Sequence, residues 1–319
     1  MNFVLKLAAA LCLVLLLPCA GAQYPTRPIR FVVPFPPGGT ADYVARLIAQ
    51  PLTQTLGQQV LVDNRPGGDG AVAGTIVMKA APDGHTIFFG TNSPMSAVPA
   101  LHKRPPYDPI SDFTPISLIG RFTFFLFETP SVPARTVSEL ITYVRANPGK
   151  LNYGTGNTSA IVAMAQFKAL AGLELTHVPY KGDAPTTADM LGGSIQLAFM
   201  TPVPGLAYVK EGRLRLLAVL LPQRSALAPD VPTIAEAGMP GVSITPWAGL
   251  FGPAKMPGAV VERLSRELHA VLSRADIREQ LGRQGFEAQT STPPEMGRYN
   301  ADQLQTWKRV IREANIPMD

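Results

Sequence analysis

An α/β protein of two lobes, built around largely parallel sheets, is predicted by three features of the sequence. Short apolar runs alternate with helical patterns, two strand–turn–helix junctions are alike in composition, and the chain exceeds the usual size of one domain. It has 319 residues.

Residues 1–22 read as a signal peptide. Lys6 precedes an apolar run over 7–17, then come Pro18 and the small exit Ala20-Gly21-Ala22. The run is too short to span a bilayer, and the exit suits signal peptidase. A lipoprotein anchored at Cys19 is the competing reading, which Pro18 disfavours because a small residue is expected there. Export leaves 297 residues without cysteine, since Cys12 and Cys19 both lie in the leader. The exported product must therefore rest on its hydrophobic core. No later run is long enough for a membrane-spanning helix. The net charge of +5 becomes +4 without Lys6, and Lys and Arg are scattered. That scatter argues against nucleic-acid binding and suits mild attraction of anionic ligands.

The first element of the exported chain is a buried strand over residues 29–34. A Pro36-Pro37-Gly38-Gly39 turn follows, and a helix over 40–56 places Val44, Leu47, Ile48 and Leu52 on one stripe. A helix mouth carries unpaired amides and a partial positive charge, so this turn can hold a carboxylate without a basic side chain. Further strands are expected over 59–62, 86–90, 116–119, 122–128, 152–154, 174–178, 197–200, 214–221 and 249–252. Helices are expected over 70–81, 137–147, 159–170, 186–192, 233–237, 259–273, 275–283 and 293–313. The second junction runs Tyr153-Gly154-Thr155-Gly156-Asn157-Thr158-Ser159 into the helix at 159. Ligands in open α/β sheets sit beyond the carboxyl ends of strands, so one such turn per lobe makes a pair of facing jaws. Pro-rich stretches at 129–133 and 227–240 lie near the expected lobe crossings.

His85, His102, His177 and His269 are far apart, and no His/Cys/Asp/Glu group has ligand spacing, so no metal is expected. There is no P-loop, nucleophile elbow or dinucleotide fingerprint, and nothing demands a cofactor. Asp83-Gly84-His85 is first of all turn chemistry, ahead of any catalytic role.

The first turn, Asp63-Asn64-Arg65-Pro66-Gly67-Gly68 and Ala81-Pro82-Asp83-Gly84-His85-Thr86 together resemble the tripartite tricarboxylate transporter receptors, the Bug family of periplasmic solute-binding proteins. The likeness continues through Asp112-Phe113-Thr114-Pro115, His177-Val178-Pro179-Tyr180-Lys181-Gly182 and Met190-Leu191-Gly192-Gly193. It ends in Val231-Pro232-Thr233-Ile234-Ala235-Glu236-Ala237-Gly238 and Trp247-Ala248-Gly249-Leu250-Phe251-Gly252-Pro253. As an ordered set these motifs are specific.

The resemblance implies a type II periplasmic-binding, Venus-flytrap fold, with residues 23–123 and 245–319 in lobe 1 and 124–244 in lobe 2. It implies a small organic acid closed between the lobes, one carboxylate being held by main-chain amides, and membrane permease subunits as partners of a monomeric receptor. Carried onto this chain, the first jaw is Phe35, Pro37, Gly38, Gly39, Thr40 and Asp42, and the second is Thr155, Gly156, Asn157, Thr158 and Ser159. By the same likeness Tyr180, Lys181, Gly182, Asp183 and Thr201 join the pocket. Relatives often carry polar groups where this chain has Ile161, Val162, Ala165 and Met200. Those changes favour a ligand with one anionic end and a less polar body.

Each site residue also has a structural reading. The first turn can simply cap its helix, with Thr40 as N-cap, and Asp42 orders its loop rather than touching an anion. Residues 155–159 can be a polar loop and cap. Lys181 either meets a carboxylate or stays solvated, Trp247 is either pocket wall or core, and Asn92 with Ser93 is either pocket or turn. The leading function is a periplasmic receptor that delivers a carboxylate to a membrane permease. Its alternatives are a receptor read by a membrane sensor, or an enzyme using the same cleft with Asp183 or His85 as base.

Overall fold

The structure, a computed structural model, describes residues 24–314 together with 316 and 318; the expected leader lies outside them. The chain opens with β1 (Ile29–Val33), whose Phe31, Val32 and Val33 are fully buried on the two faces of a sheet. A run of β-branched and aromatic residues buried on both sides belongs in a sheet interior. Helix α1 (Thr40–Leu56) lays Val44, Ala45, Ile48 and Leu52 on that sheet and stops at Gly57, whose left-handed φ of 71° allows its N–H to reach the Thr53 carbonyl. Next come β2 (Val60–Asn64), α2 (Ala71–Met78) and β3 (Thr86–Thr91), with β2 and β3 parallel to β1 on either side. A wide turn over Ser93–Ala97 leads into the short α3 (Val98–Leu101) and then β4 (Phe113–Phe122).

At Thr123 and Phe124 the chain leaves this sheet for a second one. It builds β5 (Phe125–Glu128), α4 (Val137–Ala146), β6 (Asn152–Thr155), α5 (Thr158–Ala171) and β7 (Thr176–Pro179). Then follow α6 (Asp183–Leu191), β8 (Leu197–Met200), α7 (Leu206–Lys210) and β9 (Arg215–Val219). After β9 the chain returns as β10 (Trp247–Pro253), α8 (Gly258–Leu272), α9 (Ala275–Arg283), β11 (Phe286–Ala288) and α10 (Pro293–Glu313). The sheet orders are β11-β4-β10-β3-β1-β2 and β7-β6-β8-β5-β9. The fold is two-lobed, as expected.

The expectation of largely parallel sheets is corrected. β10 runs antiparallel to both β3 and β4, β11 runs antiparallel to β4, and β5 runs antiparallel to β8 and β9. β4, β5, β9 and β10 flank the crossings, so their direction follows from the path between lobes, whereas β11 adds to the outer edge of the first sheet without leaving that lobe. An apolar run carries no mark of direction. The single strand expected over 122–128 is two strands, because its middle is the crossing. The helix expected over 233–237 is one turn, since Ile234 donates to Val219 and binds the segment to β9. The Pro-rich stretch at 129–133 follows β5, inside the second lobe rather than at a crossing. β11, α3 and α7 were unforeseen, being too short to show a period.

One apolar core runs through both lobes, from Phe31 and Phe89 past Phe122, Phe124 and Phe286 to Phe167 and Phe199. At the crossing the Phe122 and Phe286 rings meet edge to face, 4.9 Å apart. There Phe122 N–H donates to the Pro246 carbonyl, Thr123 N–H to Gly285 and Leu220 N–H to Phe124.

Glu128, at the far end of β5 from the crossing, is fully buried, and neither carboxyl oxygen has a hydrogen-bond partner among the described residues. Arg215 Nη1 lies 3.6 Å away but donates to the Val132 and Ala134 carbonyls. Burial raises the Glu128 carboxyl from 4.5 to about 8, with Arg215 only partly opposing it. The folded state then holds a proton that the unfolded chain releases, so the contribution of this group to stability is greatest below pH 4.5 and is lost as pH rises to about 8. Thermal melts across that range should show this decline in the natural protein and a flatter profile in Glu128→Gln. A Glu128→Gln protein with an unchanged slope would refute the assignment.

Candidate functional site

The first jaw is set by what its residues cannot do. Pro36 and Pro37 have no N–H to continue β1, and Gly38 takes φ 88°, which favours glycine. Gly39, extended at φ −84° and ψ 170°, is the N-cap of α1. Thr40 is therefore the first helical residue and not the cap that the structural reading expected. Because Gly39 has no side chain, the N–H groups of Gly39, Thr40 and Ala41 keep no acceptor among the described residues. Open amides at a helix mouth have the polarity that suits an anion.

Asp42 holds this turn in shape. Its buried carboxylate accepts from Gly38 N–H at 2.9 Å, Asn64 Nδ2 at 2.9 Å and Arg46 Nε at 3.0 Å. Asn64 Nδ2 also donates to the Phe35 carbonyl at 3.0 Å. Burial alone pushes the Asp42 carboxyl up, but the hydrogen bonds from Arg46, Gly38 and Asn64 and the Arg46 charge hold it below its ordinary value. The carboxylate is thus ionised and fully engaged. The Gly38 amide is spent on it, which leaves Gly39 and the first turn of α1 for a ligand. Phe35 is half-buried against the core, and Pro37 is exposed.

The second jaw uses the same device. Asn157 caps α5 by accepting from Ala160 N–H at 3.0 Å, and its Nδ2 lies 3.3 Å from Asp183 Oδ1. Asp183 Oδ2 accepts from both the N–H and the hydroxyl of Thr201, at 2.9 and 2.6 Å. Burial raises the Asp183 carboxyl, against the lowering pull of Thr201 and Asn157. A Cβ at Gly156 would stand 2.5 Å from the Gly182 carbonyl carbon and 2.7 Å from Asp183 Oδ1, so only glycine fits between. The N–H groups of Thr158 and Ser159 have no acceptor among the described residues.

The two jaws meet at one edge. β1 and β3 are parallel neighbours, so their carboxyl ends lie side by side. Gly70 wedges Pro34 against Pro94, at 3.0 and 3.1 Å from the position of a Cβ. Asn92, after β3, donates across to Ser159 in the first turn of α5 at 2.5 Å. Its Oδ1 accepts from Trp247 N–H at 3.2 Å.

Other sequence-chosen residues face elsewhere. The Thr155 hydroxyl is 2.7 Å from His177 Nε2, on the edge strand of the second lobe. Tyr180 donates to Asp189 at 2.6 Å, and burial, with the Asp189 hydrogen bond and charge, pushes the phenol up to about 12. Lys181 is exposed, and Gly182 takes φ 112° beside Gly156. Of the two readings of Trp247, the structure supports core: it is fully buried against Phe251 and Tyr299. Met200 is also core, with Phe125 and Phe127, and its sulfur accepts from the Thr187 hydroxyl at 3.4 Å. The expectation that Met200 and Val162 strip polar groups from the ligand is corrected, because both side chains are buried in the second lobe. Ile161 and Ala165 remain half-exposed on α5.

His85 belongs to the opposite, amino edge of the first sheet. Its Nε2 accepts from Thr26 N–H at 3.3 Å, its Nδ1 lies 3.4 Å from Asp83, and Tyr24 stands edge-on to the ring. The trio anchors the start of the described chain.

The sequence reading missed two contributors. Asn64 is a brace for the first jaw, and Gly67-Gly68-Asp69-Gly70 forms a continuous left-handed turn with φ from 51° to 129° beside Pro34. Three glycines in four residues were the available signal, since Asp69 is held in a conformation that few non-glycine residues adopt.

A sequence profile described as the tripartite tricarboxylate transporter family receptor matches residues 44–316. BugT of Bordetella pertussis is 32% identical over 304 residues, covering 94% of this chain and 93% of that protein. Rpa4515 of R. palustris, solved with adipate, is 34% identical with a TM-score of 0.83, over 93% of this chain and all of the other. MatC from Rhodopseudomonas palustris, with bound malate, is 30% identical with a TM-score of 0.78, over 90% of this chain and all of the other.

The packing at Gly156 predicts that Gly156→Ala destabilises the protein by about 1–3 kcal/mol, as overpacking does. Denaturant unfolding measures it, and an unchanged midpoint would contradict the close approach of Asp183.

Proposed function

Because this chain belongs to the tripartite tricarboxylate transporter receptor family, we propose that it is a periplasmic receptor that closes its two lobes on a small carboxylate and presents it to membrane permease subunits. The lobes are residues 23–123 with 245–319, and residues 124–244; the protein works as a monomer, exported by its leader. The observation that carries this reading is the pair of helix mouths, one per lobe, each with open first-turn amides and each held by an aspartate that is already engaged. Amide dipoles fixed in place replace the water around an anion without reorganising. Closure is favoured by as much as the ligand prefers the closed form.

The ligand class follows from the side chains nearby. Arg46 is committed to Asp42 and Asn64, and Arg30 and Arg65 are committed to Asp63. Lys181 is the cation of the motif loops that has no ion-pair partner among the described residues. Ile161 and Ala165 offer apolar surface on α5. This combination suits an acid with an apolar body, such as adipate or an aromatic acid, over a hydroxy acid such as malate, whose hydroxyl would be buried unpaired. The chemistry is binding, not turnover.

Gly39→Val tests the jaw directly. A Cβ there meets nothing nearer than the Pro36 carbonyl at 4.0 Å, so the variant folds, while its side chain stands in the way of a ligand oxygen. Calorimetric titration with adipate, benzoate and malate should give heat with the natural protein, weakest for malate, and none with Gly39→Val. Full affinity in a folded Gly39→Val protein would rule out the first jaw as the anion site.

A further inference from the structure

Two residues expected to touch the ligand bond each other instead. Asn92 is 2% exposed at the end of β3 in the first lobe, and Ser159 is 4% exposed in the first turn of α5 in the second. The Trp247 N–H donates to Asn92 Oδ1, which fixes the orientation of the amide and turns Nδ2 toward the Ser159 hydroxyl. Trp247 is the first residue of β10, where the chain has just returned from the second lobe. One side-chain amide therefore joins an interior strand of the first lobe, the return crossing and the helix mouth of the second lobe. Ser159 makes no other side-chain hydrogen bond among the described residues. The surroundings are buried: Ser93, Met95, Ser96 and Ala160 are all shielded, and α5 packs here on the Ser93–Ala97 turn and on α10.

We propose that Asn92 and Ser159 form a closure latch, which holds the lobes together in the absence of ligand and fixes the second jaw over the first. The inference rests on the reading of the protein as a hinged receptor but not on the identity of its acid. While the latch is shut, Asn92 Oδ1 is engaged by the Trp247 N–H and its Nδ2 by the Ser159 oxygen, which leaves the Ser159 O–H and one Nδ2 proton as the donors the pair can still offer. Opening breaks the pair and gives both groups to water, so its net effect is that of one neutral hydrogen bond. That corresponds to about a fivefold change in the ratio of closed to open forms.

Solution scattering of the ligand-free exported protein tests the latch. Ser159→Ala should raise the radius of gyration above that of the natural protein, with a normal cooperative melt to show that it is folded. The double variant Asn92→Ala/Ser159→Ala should open no further than Ser159→Ala, since both changes remove the one bond between the lobes, and the Trp247 bond that Asn92→Ala also removes lies at the return crossing. Superimposable ligand-free profiles for Ser159→Ala and the natural protein would overturn the latch. Calorimetry with adipate on the same samples separates the two readings. An expanded Ser159→Ala beside a natural protein that ignores adipate supports the latch and faults only the ligand class.

Discussion

A binding site made of main-chain N–H groups has to be held open by something other than its ligand. Backbone amides left to themselves find carbonyls or side-chain caps, and a turn free to move would lose the fixed dipoles that make it useful. The constraint is met in the same way in both lobes. Asp42 draws in Gly38, Asn64 and Arg46, and Asp183 draws in Thr201 and Asn157; each clamps the turn from behind while the amides at the helix mouth stay open. The Asp42 charge is shared among the hydrogen bonds it accepts and its carboxyl stays ionised, whereas burial raises the Asp183 carboxyl despite the bonds from Thr201 and Asn157. The glycines complete the device. Gly39 removes the side-chain cap from α1, and Gly156 lets the second turn lie directly against the loop of Asp183.

The rest of the fold serves to bring these two turns to one edge. Strands β1 and β3 point their carboxyl ends the same way, and the wedge of Pro34, Gly70 and Pro94 keeps the turns after them together. The crossing strands must then run against their neighbours, which is why β5 and β10 are antiparallel in sheets whose other strands around β1 and β6 are parallel. The apolar seam through Phe122, Phe124 and Phe286 makes the crossing part of the core instead of a loose linker.

Much of this was legible in the chain order of residues. The first helix, the two last helices and the strand–turn–helix junctions were found because their patterns are local: apolar residues recur every three or four positions, and Pro and Gly mark the turns. Asp42 was correctly read as a loop-ordering residue because an anion repels a carboxylate. The two turns were paired by their composition, and the two-lobed fold was read from length and motif order.

What the order of residues left open was decided by partners distant along the chain. Asn64, 22 residues from Asp42, and Thr201, 18 residues from Asp183, give no local sign of bracing a turn. Trp247 and Met200 are equally apolar in a cleft or a core, and only their neighbours assign them to the core. Asn92 and Ser159, 67 residues apart, suit a pocket by their chemistry, yet folding turns them toward each other. The sequence by itself determined the elements, the turns and the kind of site, because periodicity and turn chemistry act over a few residues. The tertiary structure decided strand direction and which polar groups are spent on one another, because a hydrogen bond depends on distance in space and not on separation along the chain.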